Sequence, residues 1–226
     1  MAENDPGHVD RLARLVRPVV LVDFVSQVCQ WLQDAHDEAG ALQKARVGGH
    51  RGGWANNTSF GTDRHQYLLN TAESLEGEIE RLEVAPAFQS VLLKLPHAGI
   101  YQFHMPSGPD GAVGETSDLR RELMTLRDEQ SLFGRREAWL GHRELLLLPW
   151  SGDERRGLTD TWAGQGVLED GYIVWEWKVR LQDIAAGGYG HPGYTELPTL
   201  FNADVFEQPQ PDVPLRPRRD PAERAG

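Results

Sequence analysis

Glu176 and Lys178 are the side chains whose types and spacing most directly suggest chemistry. They stand two apart in Gly171-Tyr-Ile-Val-Trp-Glu-Trp-Lys-Val-Arg-Leu181. In an extended strand, residues i and i+2 project from one face. A carboxylate there could hold Mg²⁺, and an ammonium beside it could polarise the attacking water or a scissile phosphate. The chemistry needs a further carboxylate, for which Asp153, Asp160 and Asp170 are available. Asp170 already suits a tight turn before Gly171. The candidate catalytic set is therefore Glu176, Lys178 and Asp153, with Mg²⁺ as the only cofactor that any reading of the chain calls for.

The Glu-x-Lys form is used by a large class of metal-dependent nucleases. In that class a helix and a further core strand follow the motif. Here the Gly-rich stretch Ala185-Ala-Gly-Gly-Tyr-Gly-His-Pro-Gly193 follows. A Glu and a Lys two apart also suit the wet face of an ordinary strand. The nuclease is an alternative and not the leading reading.

Other catalytic patterns are poorer. There is no Gly-x-Ser-x-Gly elbow, no His-Glu-x-x-His and no Walker sequence. Val47-Gly-Gly-His-Arg-Gly-Gly53 is glycine-rich, but no Lys-Ser/Thr follows it and it closes a helix, the wrong dipole end for an anion. His97 and His104 lack neighbours at metal-ligand spacing, and His65 lies along an apolar stripe; each reads as structural. Cys29 is the single cysteine, which excludes an internal disulfide and a Cys-based zinc site, and it reads as an inert, half-buried thiol. A small-molecule pocket would be sought around a long 150–166 loop, at Trp150, Asp153, Trp162 and Tyr172.

The elements that must position these residues follow from periodicity. Apolar residues from Val9 to Arg46 change sides of the helical wheel near Pro18, predicting a short helix over 8–16 and a long one over 18–46. A polar loop over 54–61 and a helix over 63–83 follow, with Asp63 and Gln66 as a capping box and Leu68, Ala72, Leu75, Ile79 and Leu82 inward. Residues 89–96 and 99–105 predict a hairpin. A helix is expected over 118–133. Glu144-Leu-Leu-Leu-Leu-Pro149 predicts a strand covered on both faces. Asp170-Gly171 predicts a second hairpin. Its second arm places Ile173, Trp175, Trp177, Val179 and Leu181 on one apolar face.

The expected fold is α+β: a mostly antiparallel sheet of four to five strands packed with amphipathic helices. One domain is expected over 1–184, helical over 8–83 and sheet over 88–184, with a Gly/Pro-rich linker and tail over 185–226 that is disordered from Glu207 onward. The 226 residues carry a net charge of −11, which disfavours non-specific nucleic-acid binding. No apolar run approaches the roughly 20 residues of a membrane helix, and the first residues do not read as a secretory signal. The leading expectation is a non-enzymatic cytoplasmic interaction module: an adaptor, inhibitor or assembly component. Its partner would be another protein or a second copy, docking partly through Leu200, Phe201 and Phe206 of the tail.

Overall fold

The computed structural model describes residues 4–49, 55–87, 90–114, 118–125 and 139–187. By its internal contacts the chain divides into Met1–Gly193 and Tyr194–Gly226, and the described residues lie in the first. The predicted tail, with Leu200, Phe201 and Phe206, lies outside the described residues.

The helices are α1 (Pro6–Leu15), α2 (Leu21–Gly48), α3 (Asn57–Thr71), α4 (Ser74–Glu78), α5 (Asp118–Thr125) and α6 (Leu181–Ala185). The strands are β1 (Glu83–Ala87), β2 (Ser90–Lys94), β3 (Ala98–His104), β4 (Glu144–Asp153), β5 (Gly157–Glu169) and β6 (Tyr172–Arg180). They form one sheet in the order β1-β2-β3-β4-β5-β6, antiparallel except where β3 runs parallel to β4. A parallel pair needs a crossover, and the segment containing α5 supplies it. The fold is α+β as expected, with six strands instead of four or five.

Each face of the sheet carries its own core. On one face Leu93, Ile100, Leu146, Leu148 and Trp177 meet Leu12, Phe24 and Val28 of the first helices. On the other, Leu92, Tyr101, Phe103 and Leu147 meet Leu123 and Met124 of α5. The unbroken leucine run of β4 is buried from Leu145 through Leu148, as a strand covered on both faces requires.

Several predicted elements are redrawn. The break near Pro18 is real, but the second helix starts at Leu21. The predicted 54–61 loop contains the start of α3, because Asn56 caps it: its side chain accepts from Ser59 N at 3.0 Å, and Ser59 Oγ accepts from Asn56 N at 3.1 Å. Asp63, expected as the cap, pairs with Arg46 of α2. The single helix over 63–83 is three pieces, with α4 separate and β1 beginning at Glu83. β1 holds Pro86 and is an edge strand, where the missing donor does least harm. The expected long loop over 150–166 is the end of β4, a turn and most of β5. Thr159 through Gly166 mixes polar, aromatic and glycine residues without clean alternation, which concealed a strand.

The largest correction concerns β6. Gln165 of β5 pairs with Trp177, but the next residue, Gly166, pairs with Trp175. Glu176 is an extra residue in β6, a β-bulge. It turns the two indoles to opposite faces. Trp177 and Val179 join the core beneath the helices, whereas Ile173 and Trp175 face the α5 side. The hairpin turn itself is as predicted, with Asp170 at φ 48° and Gly171 at φ 82°.

Candidate functional site

The bulge disperses the Glu-x-Lys pair. Glu176 lies 3.8 Å from Arg11 of α1, which also reaches Glu144 at 4.0 Å. The Arg11 guanidinium lies 5.3 Å from the Trp177 ring centroid. Gln165 completes this network, accepting from Arg11 and from Trp177 Nε1 and donating to Glu144. It binds α1 to the sheet. Lys178 is turned elsewhere: its Nζ pairs with Asp110 and lies 5.9 Å from both the Trp162 and Trp175 ring centroids.

The three aspartates have local partners. Asp153 accepts from Arg155 N at 2.8 Å and Arg156 N at 2.9 Å, which closes the β4–β5 turn and holds its carboxyl below the usual range. Glu144 and Asp153 are the two ends of β4, so Asp153 stands roughly 25–30 Å along the strand from the Glu144–Glu176 network. Asp160 pairs with Arg180 at 2.6 Å. Asp170 makes its turn. Among the described residues, no group of three or more His, Cys, Asp or Glu is placed to hold a metal ion.

Trp150, Asp153, Trp162 and Tyr172 are not gathered into one pocket. Trp150 and Asp153 lie at the end of β4 on the helical side, Trp162 lies near Lys178, and Tyr172 stands exposed beside the β5–β6 turn. A depression of about 770 Å³ opens elsewhere, at the start of α3 beside Arg46. Among its lining groups, Asn56 is engaged in the cap and Arg46 with Asp63 through Nη2 at 2.9 Å.

What the structure does assemble around Trp150 is a stack of rings about a buried cation. Arg64 of α3 is 5% exposed. Its guanidinium sits 4.3 Å from the Trp150 ring centroid and 5.1 Å from that of Phe60. Beyond Phe60 lies His36 of α2, edge-on at 5.0 Å. Beyond Trp150 lies His104 of β3, at 4.7 Å. The Gly152 carbonyl accepts from Arg64 Nη1 at 3.3 Å and meets His104 Nε2 at 3.1 Å. Trp150 Nε1 donates to Gln102 at 2.9 Å.

Burial dominates the electrostatics here. It lowers Arg64 to about 10, which leaves the guanidinium charged at neutral pH. Burial, with Arg64 second, lowers His104 to about 4 and also depresses His36. Both imidazoles are neutral at pH 7. Ser151 Oγ, next along β4 from Trp150, is hydrogen-bonded to Thr159 Oγ1 at 2.9 Å. Cys29 is partly buried, and burial pushes its thiol up to about 12, which keeps it protonated at neutral pH.

Phe60 falls in the predicted polar loop, and no pattern in the sequence sets His36 or Arg64 apart on its helix. The detectable signal was an arginine four residues after Phe60, one helical turn on the same face.

A third feature is the open side of β6. Tyr172 is 54% exposed and Val174 is 49% exposed. Towards the other end of the strand, Asn4 accepts from Arg180 N at 2.8 Å and donates to Arg180 O at 3.0 Å, occupying the backbone as a neighbouring strand would.

No family model, curated protein or solved structure matches this chain. Among the described residues no helix is long and apolar enough to cross a membrane.

Proposed function

We propose that this protein is a non-enzymatic interaction module, an adaptor, inhibitor or assembly component of the cytoplasm, that receives an extended segment of a protein partner along β6. The observation that carries this reading is the pair of exposed apolar residues, Tyr172 and Val174, on an edge strand. Edge strands invite pairing, and folded proteins commonly blunt them with proline, bulges, charges or covering groups. β1 at the opposite edge carries Pro86. The second half of β6 carries the Glu176 bulge, Lys178, Arg180 and the Asn4 cover. The first half, from Tyr172 to Trp175, carries no proline, bulge or charge, and the 109–113 loop meets it at its ends, where Val113 N donates to Gly171 O and Trp175 Nε1 donates to Pro109 O, each at 2.8 Å. An added strand gains main-chain hydrogen bonds, and alternate side chains supply selectivity.

The test places a photo-crosslinking residue at position 172 in the full chain, with a matched probe at Lys44 as control. The expected result is a discrete product formed from position 172 alone and lost in Val174→Lys. No product from position 172, or one that persists unchanged in Val174→Lys, would overturn the proposal.

A further inference from the structure

The order His36–Phe60–Arg64–Trp150–His104 forms a continuous stack that joins α2, α3, β4 and β3. Its centre is a permanent cation and both its ends are imidazoles. The other groups acting on those ends are few. Asp37 lies beside His36 on α2, Asp153 faces from the β4–β5 turn, and Arg120 faces His104 from α5. Asp37 accepts from Gln33 at 2.9 Å, and Asp153 is engaged by two backbone amides. His36 is 5% exposed, and its Nδ1 has no hydrogen-bond partner among the described residues. Imidazolium carries a proton on both nitrogens. A proton arriving at His36 therefore creates a buried donor with no acceptor, near an existing cation.

We infer that this stack is an acid-released clamp: protonation of His36 and His104 loosens α3 from the β4–β5 turn while the remainder of the sheet stays paired. Arg64 cannot relieve the repulsion by losing its own proton, because it stays charged throughout the acid range. Release separates Arg64 from Trp150 and from the Gly152 carbonyl, the contacts through which α3 reaches β4. The β2–β3 ladder, and the β3–β4 ladder from Ala98↔Glu144 to Phe103↔Pro149, stay paired through backbone groups; His104, opposite Trp150, is the last residue of the second.

The direction follows from linkage. An imidazole depressed in the folded state binds fewer protons than it does unfolded, where its pKa is about 6.5. The clamp holds fully above about 6.5 and weakens as pH falls towards the His104 value of about 4. Carboxylates protonate over the lower part of that window too, so a variant lacking both imidazoles is the necessary control.

Amide hydrogen exchange of the full chain from pH 7 to 4.5, corrected for intrinsic rates, tests the inference. Protection over 57–71 is expected to fall at least about tenfold more than protection over 90–102. In His36→Gln/His104→Gln this selective loss disappears. Equal loss in the two regions, or the same selective loss in the double variant, overturns the clamp. If the double variant does not fold, the imidazole resonances of the wild-type chain decide. Two histidines that stay neutral below pH 6 and protonate as 57–71 opens support it; their ordinary titration with 57–71 still protected overturns it.

Discussion

Glu176 illustrates how one inserted residue redirects its neighbours. Without the bulge, Trp175 and Trp177 would share a face, and Glu176 and Lys178 would share the other. With it, one indole faces each core and the two charges find separate partners, Arg11 and Asp110. Glycines in β5 accommodate the bulge. A Cβ at Gly166 would stand 2.7 Å from the Val174 carbonyl oxygen and 2.8 Å from Ile173 Cγ2, and one at Gly164 would stand 2.4 Å from the Trp177 carbonyl oxygen. Those atoms belong to the partner strand, which cannot yield without breaking the ladder. Gly166→Ala is therefore expected to cost about 1–3 kcal/mol in urea unfolding. A cost below about 0.5 kcal/mol would mean that β6 does not approach β5 as closely as described.

At the scale of elements, the helix boundaries depend on caps more than on stripes. The apolar spacing from Leu68 to Leu82 is continuous and would suit one helix, yet α3 ends at Thr71 and α4 at Glu78. Asn56 with Ser59 starts α3 seven residues earlier than a cap at Asp63 would have. Its polar loop-like surroundings disguised a helix start. Asn56→Ala is expected to destabilise the fold by about 1 kcal/mol, from the lost cap, with circular dichroism unchanged before the transition. By contrast β2, β3 and β4 were legible, because alternation or an unbroken leucine run marks a strand directly. β5 was not, since its glycines answer to the close approach of β6 and not to any pattern along its own strand. β1 was hidden by Pro86, which argues against a strand unless the strand lies at an edge.

For the whole molecule, one sheet separates two cores, and β4 contributes buried residues to both. Leu148 of β4 is fully buried beneath the helices, with Leu147 facing the other core. Leu148→Ala is expected to lower the unfolding free energy by about 2–5 kcal/mol and to lower the urea midpoint without changing the slope. A shift worth less than about 1 kcal/mol would show that the helical layer is not firmly seated on the sheet. The periphery is where function is proposed: the open half of β6 at one edge, and the ring stack where α3 meets the β4–β5 turn.

The sequence by itself determined the class of fold, the helical first third, the first hairpin and the Asp170-Gly171 turn. Each rests on side-chain periodicity or turn chemistry that a short stretch carries within itself. Only the tertiary structure decided which way Trp175 and Trp177 face, that Glu176 and Lys178 part company, and that His36, Arg64 and His104 share one stack. A bulge is defined by the register of two strands, and the stack joins residues from four separate elements. The bulge leaves no trace in the local pattern of either strand and the stack leaves only the Phe60–Arg64 spacing, because the energy that sets them comes from contacts between distant parts of the chain.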